Sequence, residues 1–182
     1  MNIVRKMPVN ILFKKEYIND YDLIIIPCNY MMQPVNIDFI NIIKKANINS
    51  INKYIIRKYN LSNTNPIKDG DIRITPGFKI KPNLMFVKFP YKSDNISIND
   101  FIKVFNDILD KIDINEYKKI LLPKMYIAYR CGFSLEESKK IKYIINKALL
   151  LKYKNITREI QIQFDEIYCF DQKLVKKQKT VI

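Results

Sequence analysis

The sequence of 182 residues contains no histidine, only three glycines and only three cysteines. The absence of histidine excludes Cys-His and Ser-His nucleophilic dyads, acid–base catalysis by imidazole and most zinc sites. The cysteines, Cys28, Cys131 and Cys169, are odd in number and widely spaced, so they predict neither a disulfide framework nor a metal site. We therefore expect no metal and no cofactor, and any chemistry must come from carboxylates, amides, backbone groups or bound water.

Long apolar runs are also missing. No run approaches the ~18 residues that a membrane span requires, and the N-terminus has no apolar signal region, so we expect no membrane association. The length and the 48% hydrophobic content suit one compact domain over residues 1–182, with a basic tail from about residue 173. The unpaired cysteines favour a reducing, cytoplasmic compartment. Nothing in the sequence determines the oligomeric state.

The net charge of +14, from 32 basic and 18 acidic residues, suggests a polyanionic partner by composition alone. However, lysine, asparagine and isoleucine are abundant along the whole chain, as an A/T-rich genome would produce, and no block of five basic residues occurs. The basic stretch 173–179 is typical of a solvated terminus. Nucleic-acid binding therefore stays as an alternative and not as the main function.

The segment from Asp22 to Asn29 predicts a strand that is buried on both faces. Leu23 to Ile26 are four consecutive aliphatic residues, too few for a helix, and Pro27 ends the strand because it has no N–H to donate. Ligands of open α/β sheets bind beyond the carboxyl ends of the strands, which makes Asn29 a candidate site residue. The alternative, which the residue type alone favours, is that Asn29 only forms an Asx-turn.

The remaining patterns alternate between strands and helices, which predicts an α/β sandwich with a largely parallel or mixed sheet. Capping boxes are predicted at Ser97 with Asp100 and at Ser134. Further strands are predicted at 9–13, 70–78, 84–89, 120–122 and 160–170, and helices at 38–59 with a break near 47–49, at 97–112 and from 134 to about 151.

Four of these segments resemble, in the same order, segments of the macro domain family. Asp22–Asn29 resembles the family strand Asp-Ala-Ile-Val-Asn-Ala-Ala-Asn, and Gly70–Phe78 resembles its Gly-Glu-Ala…Thr-x-Gly-Tyr segment. Leu84–Pro90 resembles the next buried strand, and Ile120–Ser138 resembles the strand, proline, phosphate-binding loop and helix that follow. All three glycines fall where the family uses glycine. The resemblance implies a macro-domain-like three-layer α/β/α sandwich with a mixed, largely parallel sheet, and a cleft for ADP-ribose.

Two loops depart from the family pattern. The family follows its asparagine with a run of glycines, whereas this chain has Tyr-Met-Met-Gln-Pro-Val-Asn at 30–36. The second loop, 124–133, lacks a glycine near Ala128 and is one residue longer. A Cβ disfavours the positive φ angles of anion-binding nests, so the resemblance implies an altered or blocked ADP-ribose pose.

The resemblance also implies roles for individual residues. Glu16 would accept a hydrogen bond from the adenine amino group, although a solvated surface glutamate is the equal alternative. Asn29 would contact the distal ribose, and Asp38 matches an aspartate that hydrolytic members use beside it. Tyr30, Tyr126, Tyr129 and Arg130 would supply stacking surfaces and a guanidinium, or else simply cover the sheet. The diphosphate loop comprises Ile127, Ala128, Tyr129, Arg130, Cys131 and Gly132, and Phe133 would pack against the distal ribose.

Three functions follow as hypotheses. The first, which the rewritten loops favour, is a non-catalytic binder or sink for ADP-ribose or a related NAD-derived nucleotide, a class that includes signalling nucleotides. The second is an enzyme that removes ADP-ribose or a terminal phosphate, with Asp38 as its catalytic candidate. The third is a nucleic-acid-binding protein that uses the basic surface.

Overall fold

The computed structural model describes residues 18–35, 37–93, 95–122, 127–152 and 159–162. Its strands are β1 Leu23–Pro27, β2 Ile72–Thr75, β3 Asn83–Val87, β4 Lys119–Leu122 and β5 Glu159–Ile162. Its helices are α1 Ile37–Ala46, α2 Ile48–Tyr59, α3 Ile98–Ile114, the single turn α4 Ile127–Arg130, and α5 Leu135–Lys152. The strand predicted at 9–13, the predicted continuation beyond residue 162 and the basic tail lie outside the described residues.

The five strands form one sheet in the order β2-β3-β1-β4-β5. β1 pairs in parallel with β3 on one side and with β4 on the other, and β5 pairs in parallel with β4. Only β2 runs antiparallel, at the edge beside β3. The prediction of a mixed, largely parallel sheet is confirmed.

The central strand β1 is buried on both faces, as its unbroken aliphatic run predicts. Leu23 and Ile25 face the layer formed by α3 and α5, whereas Ile24 and Ile26 face α1 and α2. All four side chains have no solvent exposure. Burial of one such side chain stabilises the fold by about 1.5–3 kcal/mol, and the alternation divides that burial between two helical layers. The three-layer α/β/α sandwich is therefore confirmed.

The helix boundaries follow local signals in the sequence. The break between α1 and α2 falls at Asn47, which has a left-handed φ of 78° and accepts a hydrogen bond from the Ser50 N–H. Ser97 begins α3 with a complete capping box, in which Asp100 bonds the Ser97 N–H. Ser134 does the same before α5, because it accepts from the Glu137 N–H and Glu137 accepts from its N–H. Among the described residues, no helix is long and apolar enough to cross a membrane.

Asp22 joins three strands at the amino end of the sheet. Its carboxylate accepts hydrogen bonds from the backbone N–H groups of Lys118 and Lys119, at 3.2 and 2.9 Å, and lies 3.3 Å from the Lys81 ammonium. Its backbone carbonyl accepts from the Asn83 N–H at 2.9 Å. Burial alone would raise the pKa of Asp22, but these hydrogen bonds and the Lys81 charge hold it below the ordinary value.

We predict that Asp22→Asn destabilises the protein by about 1 kcal/mol at neutral pH, because hydrogen bonds to a charged acceptor are stronger than bonds to a neutral one. The depressed pKa of Asp22 means that its contribution is present above the unfolded-state pKa and is lost as the pH falls through the folded-state pKa. Urea unfolding at several pH values measures this difference, which should vanish in acid. The exposed Asp20 supplies the control: an Asp20→Asn variant as destabilised as Asp22→Asn would contradict the prediction.

Candidate functional site

A cavity of about 220 Å³ lies beyond the carboxyl ends of the parallel strands β1, β3 and β4. The end of β1 and its following loop contribute one wall, the segment after β3 contributes the aromatic wall, and α4, which follows β4, contributes the third. Its lining residues are Pro27, Cys28, Val35, Phe89, Tyr91, Ile127, Arg130 and Cys131. Three segments remote in sequence therefore meet at one edge of the sheet.

One cationic side chain lines this cavity, and a second lies against its aromatic wall. Arg130 lies in its wall, is exposed to solvent and forms no ion pair among the described residues. Lys88, which follows β3 directly, is 9% exposed and places its ammonium 2.6 Å from the Asp69 carboxylate and 4.9 Å from the centre of the Tyr91 ring. Because Asp69 neutralises Lys88, Arg130 is, among the described residues at this cavity, the cation that is free to bind an anionic ligand.

The two cysteines in the cavity wall are not nucleophiles. Burial raises the pKa of Cys131 to about 12 and raises the pKa of Cys28 still further, although the nearby Lys88 charge acts in the opposite direction. Both thiols therefore stay protonated at neutral pH. The part of the lining that the structure describes also contains no carboxylate, so none of these side chains provides a general base.

The loop after β1 is closed by the side chain of Asn29. Its Oδ1 accepts hydrogen bonds from the N–H groups of Met31 and Gln33, at 2.9 and 3.0 Å, and its Nδ2 donates to Gln33 Oε1. Met32 takes a left-handed φ of 56° although it is not glycine, and its side chain is buried under the sheet. Asn29 therefore forms the Asx-turn, and its contact with a ribose stays a prediction.

In the loop after α4, the backbone N–H groups form hydrogen bonds with carbonyl groups of the same turn. The N–H groups of Cys131, Gly132 and Phe133 donate to the carbonyls of Ile127, Tyr129 and Ala128, at 2.9 to 3.2 Å. Gly132 closes the turn with a φ of 86°, a conformation in which a Cβ is strained. These three N–H groups are consequently occupied and do not point at a ligand.

No protein-family model matches the sequence, and no curated protein matches it by sequence. Solved structures match over most of its length. The Oceanobacillus iheyensis macrodomain with ADP superposes with a TM-score of 0.63 at 14% identity, over 88% of this chain and 86% of that one. The Trypanosoma brucei macrodomain in complex with ADP-ribose gives 0.62 at 16% identity, over 85% and 63%. The macro domain of ganglioside induced differentiation associated protein 2 gives 0.64 at 15% identity, over 86% and 76%. The chain has the macrodomain fold.

The macrodomain fold brings part of the predicted site together. Ile127, Arg130 and Cys131 line the cavity, and Asn29 directly follows the Cys28 of its wall. The other predicted residues of the α4 region face elsewhere: Ala128 is fully buried, and Tyr129 is 45% exposed outside the lining. Tyr30 is exposed, and its carbonyl accepts a hydrogen bond from the Ile67 N–H.

Phe133 belongs to the core of this macrodomain fold. Its ring is 1% exposed and packs edge-on against Phe101, which in turn stacks on Phe89 at 4.9 Å between ring centres. In this conformation the cavity receives its aromatic surface from Phe89 and Tyr91.

Three predicted site residues fall wholly or partly outside the described part of the structure. Asp38 lies in the first turn of α1, but its side chain is outside the described part, and Glu16 and Tyr126 lie outside it altogether.

The sequence did not single out Tyr91 and Cys28 of the cavity lining, nor Lys88, which lies against the Tyr91 ring. A signal for Lys88 was present, because it is a single charge inside the apolar run Leu84–Pro90. A lysine in such a run is rarely buried without a partner, and the structure supplies Asp69. No comparable signal marks Tyr91 or Cys28, whose position depends on how the segments pack.

We predict that Asn29→Ala opens the loop after β1, because it leaves the N–H groups of Met31 and Gln33 without their acceptor. The cost is about 0.5–1.5 kcal/mol for each lost hydrogen bond. Amide hydrogen exchange at residues 31 and 33 should accelerate in Asn29→Ala. Asn29→Asp, which keeps an acceptor oxygen, should retain the protection, and unchanged exchange in Asn29→Ala would show that the loop holds itself by other contacts.

Proposed function

We propose that this protein binds ADP-ribose or a related NAD-derived nucleotide in the cavity at the carboxyl ends of β1, β3 and β4, and that it does so without cleaving the ligand. The fold supports the nucleotide class, because solved macrodomains of the same fold hold ADP and ADP-ribose. The residues that surround the cavity support the binding role. Hydrolysis of an ADP-ribosyl bond or of a terminal phosphate is the alternative.

The position of the cavity in the sheet is the observation that carries the proposal. From β1 the chain passes through α1 and α2 on one face, whereas from β3 it passes through α3 on the other face to β4. The two connections therefore leave the carboxyl ends of the strands toward opposite faces of the sheet, and β1 lies between β3 and β4. Open α/β sheets bind their ligands in the crevice that such a divergence leaves at the carboxyl ends of the strands.

Arg130 and Tyr91 give this cavity the chemistry for a phosphorylated nucleotide. A guanidinium binds phosphate oxygens through two parallel hydrogen bonds, and an aromatic ring packs against a ribose or a base. The volume of about 220 Å³ is smaller than the roughly 300–1,000 Å³ of sites that enclose a whole drug-sized ligand. The cavity therefore encloses one end of the nucleotide, and the rest extends over the neighbouring surface.

The two loops explain why binding without cleavage is favoured. Attack of water on the anomeric carbon requires placement of the ribose to within about 1 Å. Here the loop after β1 is closed on Asn29, and the N–H groups after α4 are bonded to their own turn. Among the lining residues that the structure describes, none offers a carboxylate or an ionised thiol to activate the water, and the side chain of Asp38 lies outside this described part.

We predict that Arg130→Gln weakens ADP-ribose binding by about tenfold or more, since hydrogen bonds to charged groups contribute about 1.5–3 kcal/mol. Calorimetric titration with ADP-ribose, ADP and adenosine measures the effect, which should be large for the two phosphorylated ligands and small for adenosine.

The control is Lys139→Gln, which removes one positive charge from an exposed position of α5, outside the cavity lining. It should leave the affinity for ADP-ribose unchanged. Wild-type protein that binds none of the three ligands, or an equal loss in both variants, would refute this site.

A further inference from the structure

The net positive charge is concentrated in one part of the chain. Residues 39–93 contain eleven lysine and arginine residues and two aspartates, so they carry +9 of the total +14. Residues 39–68, which include most of α1 and all of α2, contain no acidic residue. An A/T-rich genome would explain many lysines, but it would not explain the absence of acidic residues from this stretch.

Part of that charge lines a groove along α2 and the edge strand β2. The groove consists of two adjoining hollows of about 440 and 480 Å³, which share Tyr54 and Lys58. The hollow of about 480 Å³ adds Ser50, Lys53, Arg57 and Phe78. The hollow of about 440 Å³ adds Tyr59, Ile72, Ile74, Thr75, Pro76, Asn83, Lys111 and Asn115. None of these residues is acidic, and none lines the cavity at the strand ends.

Aromatic rings alternate with the cations of this groove. The Tyr54 ring lies between Phe78 and Tyr59, with centre distances of 5.9 and 6.4 Å and edge-on geometry. Lys58 donates a hydrogen bond to the Tyr54 hydroxyl, and its ammonium lies 5.1 and 5.4 Å from the Tyr54 and Tyr59 ring centres. Arg73 lies 5.6 Å from the Tyr59 ring centre, and its charge is paired with Asp71.

The Tyr59 and Phe78 rings have different structural roles. The Tyr59 hydroxyl accepts from the Ile74 N–H at 3.2 Å and donates to the Ile74 carbonyl at 2.5 Å, so it covers the outer edge of β2. The Phe78 ring has no polar group with which to form such a bond. It is 43% exposed, and its residue has a left-handed φ of 55°, which is uncommon for a bulky side chain.

We infer that this groove binds single-stranded nucleic acid. The exposed Phe78 ring stacks on a base, the half-buried Tyr54 ring supports Phe78 edge-on, and Lys53, Arg57 and Lys58 contact the phosphates. Proteins that bind single strands without sequence preference combine these two elements, a basic groove and exposed aromatic rings. A duplex keeps its bases stacked on each other and would use only the cations, and an acidic polypeptide would likewise leave Phe78 without a stacking partner.

The test is fluorescence anisotropy with a labelled single-stranded oligonucleotide of about 12 nucleotides, beside a duplex of the same length. Phe78→Asn removes the ring and suits the left-handed backbone, because asparagine tolerates positive φ. It should weaken single-strand binding by on the order of tenfold. Lys53→Gln/Arg57→Gln should weaken binding and lower the slope of log affinity against log salt by about 0.7 for each phosphate that is no longer neutralised.

Two control variants remove the same charge elsewhere. Lys139→Gln/Lys140→Gln changes two exposed lysines of α5, and Lys176→Gln/Lys177→Gln changes the basic tail. Both should bind the oligonucleotide within about twofold of the wild type. Equal losses of affinity in the groove and control variants would overturn the proposal, and so would tighter binding of the duplex than of the single strand. It would also be overturned if polyglutamate of equal length displaced the labelled oligonucleotide at a lower concentration than the unlabelled oligonucleotide does.

Discussion

The burial and pairing of β1 constrain the rest of this structure. Its side chains from Leu23 to Ile26 are fully buried, and it is paired on both sides, so its direction and register fix β3 and β4. Asp22 secures the amino end of these three strands through backbone hydrogen bonds. The carboxyl ends must then meet at the opposite edge, and the cavity lies there. The candidate site is thus a consequence of the same strand that organises the core.

The shortage of glycine shapes the loops around that site. Left-handed backbone conformations are needed at several turns, and five non-glycine residues of the described ranges adopt them: Met32, Asn47, Asn60, Phe78 and Glu116. A bulky residue in this conformation costs on the order of 1 kcal/mol or more, so neighbouring contacts must compensate. At Met32 the compensation is burial of its side chain and the hydrogen bonds of Asn29. A loop that is held in this way has less freedom to reshape around a ligand than a run of glycines.

Local patterns predicted the fold because they report directly on burial and capping. The aliphatic run Leu23–Ile26 predicted the central strand, and Ser97 and Ser134 marked the starts of two helices. The resemblance placed Arg130 and Cys131 at the site, where the structure has them in the cavity wall. It also placed Phe133 against a ribose, whereas the structure packs Phe133 on Phe101, a contact between segments that sequence patterns do not connect. Which backbone N–H groups are already occupied likewise depends on tertiary contacts, and no sequence pattern shows it.

Two surfaces of this fold thus have different chemistry. In the part of the chain that the structure describes, the cavity at the strand ends has one free arginine and an aromatic wall, whereas the groove along α2 and β2 has several cations and no acidic lining residue. The central claim concerns the first surface, where the rewritten loops favour binding over cleavage. Incubation of the protein with a mono-ADP-ribosylated protein, with binding and release of ADP-ribose followed in the same sample, tests that claim most directly. The account predicts a complex from which no ADP-ribose is released, in the wild type and in Asp38→Ala alike. Release of ADP-ribose by the wild type that disappears in Asp38→Ala would contradict the account and establish a hydrolase.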